Sequence, residues 1–326
     1  MNGKTCFLSN FAPLLQSFIE EKNSLGYKYE SECNRLRHFD LYCLETSRPA
    51  VLDKSLVDSY LTPDANRSAK TTLNIIGLLR QFAFYLQRNG HEAYVYPTEL
   101  FPKEEHLYTP YIFTRDEITA LLEVAEKISP NRNFPTRHIV LPMLFRTLYC
   151  CGLRISEALD LTIDDIDFEN GILALKNTKD YRDRLVPLSS DLQQRYRVYS
   201  QQLHTGNTGD SYFFQSDYGK QYSRAAVATN FRNLLWKCGI SYGGRKKGPH
   251  LHDLRHTFSI HCLQRAMARG RDLKEFLPIL SAYLGHKTLQ GTQTYLHLTA
   301  ELYPDILSRL EGHCSDIIPK AGDTNE

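Results

Sequence analysis

The segment HLHDLRHTFSIHCL, residues 250–263, carries four histidines, an aspartate and an arginine within little more than one helix length. Such a cluster could ligate a metal, grip a phosphate or fill a helix. His252 and His256 stand four apart, the spacing that sets two imidazoles on one helical face for zinc. Yet Arg255 and a basic run would crowd a dication there. No nearby carboxylate or thiolate makes an evident third ligand. The three-residue step from His252 to Arg255 also puts an imidazole and a guanidinium on one face, which suits an anion. His256 and His261 read as packing or orienting residues.

Other stretches add to the anion reading. LYCCGLRISEALDL sets Arg154 just after a glycine and at the start of an amphipathic helix, where guanidinium and backbone donors can converge on one anion. YLGHKTLQGTQTYLHL places His286 after a helix-ending glycine, with Tyr295 nine residues further on. GILALKNTKDYRDRLVPL alternates apolar and polar residues on both sides of a turn-forming centre, which predicts a β-hairpin with Lys179 near its tip. Two arginines, a lysine and two histidines suit a dianionic, pentacoordinate phosphorus, with the tyrosine as nucleophile. The sequence shows no Walker loop or acidic metal pair, so the energy of the broken bond would be kept in a covalent intermediate.

These groups need elements to position them. Phe11, Leu14, Leu15, Phe18 and Ile19 mark one face of a helix ending near Gly26. A second helix is expected from about Tyr29 to Glu45, a short third in DKSLVDSYL, and a long fourth stopping at Asn89-Gly90. Pro97, Pro102 and Pro110 then prevent a continuous helix and mark a linker. Thr114 and Glu117 have capping-box spacing ahead of ITALLEVAEKI. The chain thus divides into a helical bundle (1–92), a linker (93–112), a mostly helical second domain with a small hairpin (113–298), and a C-terminal helix and polar tail (299–326).

The bulk properties fit two globular domains. The chain has 326 residues, 42% of them hydrophobic, and a formal net charge of +2, so total charge alone does not announce nucleic acid. The distribution is more telling. Arg224, Arg232, Lys237, Arg245, Lys246, Lys247 and Arg255 are opposed only by Asp253 in this stretch. Eight cysteines without metal-knuckle spacing read as reduced thiols of a cytoplasmic protein. Neither a secretion signal nor a membrane-spanning run is indicated.

The order R…K…HxxR…H…Y, carried by Arg154, Lys179, His252, Arg255, His286 and Tyr295, resembles the tyrosine recombinase (phage integrase) family. CGLRISEALDLTIDDID, TKDYRDRLVPL, LHDLRHTFSIHCL and LGHKTLQGTQTYLHL each resemble its local motifs, in order and approximate spacing. DLKEFLPILSAYLGH departs by its length and by Pro278. The layout is similar to compact Xer-type or transposon-encoded recombinases.

The resemblance implies a mainly α, two-domain clamp on double-stranded DNA, a helical core-binding bundle plus a mixed α/β, mostly helical catalytic domain. It also implies a homo-tetramer on synapsed DNA and strand exchange through a 3′-phosphotyrosyl intermediate, with no metal or other cofactor. Tyr295 would attack the scissile phosphate, and Arg154, Arg255 and His286 would stabilise its non-bridging oxygens. Lys179 would protonate the leaving 5′ oxygen, and His252 would assist proton transfer from the tyrosine. Arg245, Lys246, Lys247 and Arg224 are the expected DNA-backbone contacts. A type IB topoisomerase-like nicking-closing enzyme and a catalytically silent DNA-binding relative remain as alternatives.

Overall fold

Four helices form at the apolar spacings of the N-terminal sequence: α1 (Ala12–Ser24), α2 (Glu30–Glu45), α3 (Lys54–Leu61) and α4 (Ala69–Arg88). The computed structural model describes residues 7–62, 67–101, 109–176, 183–244 and 248–286. The chain clusters into two units, residues 1–108 and 109–326. In the first, Phe11, Phe18, Phe39 and Phe82 are essentially inaccessible to water, and their rings pack edge-on or tilted. Burying four such rings supplies a large share of the hydrophobic stabilisation of this bundle. Asp53 and Ser68 cap α3 and α4 by accepting from the Leu56 and Thr71 backbone N–H groups.

The second unit begins at the expected capping box. Thr114 accepts from the Glu117 N–H while the Glu117 carboxylate accepts from the Thr114 N–H, which fixes the start of α5 (Arg115–Glu126). After it come α6 (Arg137–Cys150), α7 (Ile155–Asp160), strands β1 (Ile166–Asp167), β2 (Ile172–Leu175) and β3 (Arg184–Pro187), then α8 (Ser190–Leu203), α9 (Arg224–Lys237), α10 (Asp253–Ala268) and α11 (Leu273–Leu284). The fold is therefore mainly α with a small sheet, as expected. The predicted hairpin is present, with Leu173 opposite Val186, and β1 extends it to three antiparallel strands in the order β1-β2-β3.

A core of α5, α6, α9 and the sheet surrounds Phe113, Phe145, Phe213 and Phe231. Beside it, α10 and α11 pack through Ile260, Leu263, Leu277, Leu280 and Leu284. α11 continues through Pro278 and ends at Gly285, whose φ of 65° suits a residue without Cβ. No helix among the described residues is long and apolar enough to cross a membrane.

Candidate active site

Two helix ends and one strand bring three arginines together. Arg154 sits at the N-cap of α7, directly after Gly152 and Leu153. Gly152 has φ 59°, and a Cβ there would lie 2.4 Å from the Phe258 ring. The glycine thus permits both the turn from α6 into α7 and the close approach of α10. Arg255 lies in the first turn of α10 and is buried, at 1% exposure. Arg184 opens β3, its side chain 10% exposed.

Their common counter-charge is Glu157, buried in α7. Arg184 grips it in a fork, Nη1 donating to Oε1 at 2.9 Å and Nη2 to Oε2 at 2.8 Å. Arg154 donates from Nη1 to Oε1 at 2.7 Å and from its backbone N–H to Oε2 at 2.8 Å. Arg255 Nη1 lies 3.8 Å from Oε2. Burial alone would raise the Glu157 pKa, but the Arg184 bonds and charge, then the Arg154 N–H and Arg255, outweigh it and hold the carboxyl at about 2.

The same arginines grip the end of α11. The Gly285 and His286 N–H groups donate to the Ala282 and Ser281 carbonyls, the pattern of a Schellman turn. The next three carbonyls each accept from a different arginine: Tyr283 O from Arg184 Nε at 2.9 Å, Leu284 O from Arg255 Nη2 at 2.5 Å, and Gly285 O from Arg154 Nη2 at 3.1 Å. Arg255 Nη1 also donates to Gly152 O at 2.9 Å. Cations at a helix C-terminus meet the negative end of its dipole, so charge and hydrogen-bond demand are satisfied together.

Three histidines border this group. His252 is the N-cap of α10 rather than an interior residue, yet its helical backbone keeps it in phase with His256, and their rings meet edge to face at 4.6 Å. His252 remains open to solvent on one side, but crowding by protein, then Arg255 and Arg154, lowers its pKa to about 4. His256 is lowered to about 3 by burial, His252 and Arg255. His286 follows the helix-ending glycine and is lowered to about 4 by burial, Arg255, Arg154 and Arg184. All three imidazoles are neutral at pH 7, so the guanidiniums carry the positive charge.

Of the residues singled out from sequence, Arg154, His252, Arg255 and His286 come together here. Lys179, Tyr295, Arg245, Lys246 and Lys247 lie outside the described residues. Arg224 is exposed at the first position of α9 and makes no bond to this cluster among the described residues. Lys176, at the end of β2, is held by Asp165 at 2.7 Å, and that hydrogen bond raises its pKa, which makes it a poorer proton donor. The sequence reading missed Glu157 and Arg184. The i,i+3 step from Arg154 to Glu157 is ordinarily a surface pair and so did not single out the first, and Arg184 carried no comparable signal.

The sequence profile described as the phage integrase family matches residues 112–301, more than half of the chain and all of the cluster above. The chain belongs to the phage integrase family, the tyrosine recombinases. This family member is 28% identical over 319 residues to y4rB of Sinorhizobium fredii, named an integrase/recombinase, with 95% of this chain and 99% of that protein covered. It is 32% identical over 203 residues to tyrosine recombinase XerA of Pyrococcus furiosus, covering 61% and 62% of the two chains. Among solved structures, XerH site-specific recombinase bound to a palindromic difH substrate shares the fold, with a TM-score of 0.62, 18% identity and 86% and 80% coverage. A lambda integrase fragment, a dimer bound to a core site, does so at 0.63, 16% identity and 87% and 94% coverage.

Proposed function

We propose that this tyrosine recombinase performs site-specific strand exchange on double-stranded DNA through a 3′-phosphotyrosyl intermediate. The observation that carries the reading is the pair Arg154 and Arg255, fixed by backbone carbonyls and flanked by neutral His252 and His286. Donors fixed before the substrate arrives stabilise developing charge without reorganising. Arg154 uses two of its five guanidinium donors on Glu157 and Gly285, which leaves others for a phosphate oxygen.

In the proposed reaction the Tyr295 oxygen forms a bond to the scissile phosphorus as the bond from phosphorus to the 5′ oxygen breaks. His252, uncharged at pH 7, takes up the tyrosine proton, and Lys179 gives a proton to the departing 5′ oxygen. Arg154, Arg255 and His286 face the non-bridging oxygens. Attack by a 5′ hydroxyl from a partner strand reverses these steps, so no external energy source enters. Residues 1–92 and 113–298 would close on DNA as core-binding and catalytic domains, with residues 93–112 between them, in a tetramer on synapsed sites. Arg245, Lys246, Lys247 and Arg224 would contact backbone phosphates. Integration, excision or resolution all use this chemistry in the cytoplasm.

The test replaces the bridging 5′ oxygen with sulfur, a leaving group that hardly needs a proton. Lys179→Ala should be slower by roughly two to four orders of magnitude on ordinary DNA and largely restored on the 5′-thio substrate. Arg154→Ala and Arg255→Ala should stay slow on both, and Tyr295→Phe should form no covalent adduct on either. An adduct from Tyr295→Phe would remove the nucleophile and with it the mechanism.

A further inference from the structure

Arg184 has no place in the mechanism above, yet three of its guanidinium donors are engaged within the cluster. Its fork occupies both oxygens of Glu157, and its Nε holds the Tyr283 carbonyl. Three guanidiniums against one carboxylate, with the histidines neutral, leave these four side chains a net charge of +2, opposite in sign to the charge that develops on a pentacoordinate phosphorus. Without Arg184 that charge falls to +1. Two carboxylate acceptor sites would also open, with Arg255 Nη1 only 3.8 Å from Oε2 and Arg154 already bonded to the same group. Because the Glu157 side chain is only 5% exposed, both guanidiniums would be drawn toward the carboxylate.

We propose that Arg184 is a positioning residue for phosphoryl transfer, one that occupies Glu157 so that Arg154 and Arg255 keep their charge and donors for the phosphate. This rests on the recombinase mechanism proposed above. The Nε contact adds a second effect. Lys179 lies in the sequence between β2 and β3, and α11 leads directly to His286. One side chain therefore ties the strand that follows the proposed acid to the helix end that precedes a proposed oxyanion donor. Lysine cannot replace it, because a single ammonium lacks the planar fork and the third, separately directed donor.

The experiment measures single-turnover formation of the covalent adduct by the full-length chain. The probe is a nicked duplex carrying the DNA site that the protein protects, at saturating concentration. Arg184→Gln should slow the adduct by on the order of 10- to 100-fold, with DNA affinity within about twofold of wild type. Glu157→Gln/Arg184→Gln restores the net charge to +2 and removes the competing acceptor, so it should recover about tenfold of that loss. Arg184→Lys should fall between Arg184→Gln and wild type. A purely structural role predicts the opposite for the double variant, which loses both halves of a buried pair and should be no faster than Arg184→Gln. That outcome, or a wild-type rate in Arg184→Gln, would overturn the role. If Arg184→Gln is too unstable to bind DNA, the double variant decides alone: cleavage within about tenfold of wild type supports the role, and a deeper loss overturns it. A wild-type adduct that vanishes in Tyr295→Phe is the control for the mechanism. Failure of that control would overturn mechanism and role together, whereas a sound control without recovery in the double variant overturns the role alone.

Discussion

Replacing Glu157 with glutamine should destabilise the second unit by about 3 kcal/mol at pH 7, from the following quantities. The carboxyl titrates at about 2 against an ordinary 4.5, and each tenfold in the proton equilibrium is worth about 1.4 kcal/mol, so the ionised form stabilises the fold by about 3 kcal/mol. The side chain is only 5% exposed, so solvent screening takes little from that figure. Removing one partner of a buried ion pair costs about 3–5 kcal/mol on an independent mutational scale, which agrees. Because folding lowers this pKa, the contribution is complete above the unfolded value of about 4.5 and is lost as the pH falls through about 2. The chain's single tryptophan, Trp236, lies on α9 of this unit, so its tyrosine-sensitised emission follows the unfolding of this unit in urea. With a denaturant dependence of about 2 kcal/mol per molar, the midpoint should drop by about 1.5 M at pH 7. The gap to wild type should shrink by roughly 2 kcal/mol by pH 3. A midpoint within about 0.3 M of wild type, or a gap that widens on acidification, would refute the claim that ionised Glu157 organises the arginines.

Gly152→Ala should lower the urea midpoint of the same unit by an amount equivalent to about 1–3 kcal/mol, because the new methyl meets the Phe258 ring at a positive φ; an unchanged midpoint would show that the turn yields at no cost. Titration of the ring protons by NMR should place the midpoints of His252, His256 and His286 below about pH 5, and values near 6.5 would contradict their burial beside the arginines. Since folding depresses these three pKa values, their contribution to stability is intact above about pH 6.5 and declines as the pH falls toward 4. Alanine at Arg245, Lys246 and Lys247 together should flatten the slope of log affinity against log salt by roughly three, about one per lost phosphate contact, and an unchanged slope would return this run to a solvated surface.

Arg154, Arg255, His252 and His286 were legible because their motifs combine chemically distinctive side chains with short, fixed steps. The helices were legible because apolar periodicity and caps such as Thr114 are local. Glu157 was not, since an Arg–Glu pair three residues apart on a helix is ordinarily a solvated surface pair, and here the carboxylate is buried against Arg184 of β3 and Arg255 of α10. Alternation failed at Arg184 for a related reason. In β3 the inward face carries Arg184 and Val186, while the apolar Leu185 is 65% exposed; hydrophobicity would orient that end of the strand the other way. β1, at two residues, is too short to show any period. What the sequence lacked was the identity of the partners, which include backbone carbonyls far away in the chain.

That dependence on backbone has an evolutionary corollary. The acceptors at Tyr283, Leu284 and Gly285 are carbonyl oxygens, which every amino acid possesses, so the end of α11 can exchange side chains without losing its arginine contacts. The donors have no such latitude, because each requires a guanidinium at one location. Substitutions that preserve the grip should therefore accumulate asymmetrically, freely on the helix side where the packing of Leu284 and the positive φ of Gly285 allow, and hardly at all among the arginines. The helix terminus can then be retuned toward different neighbouring segments while the arginine charges remain where they are.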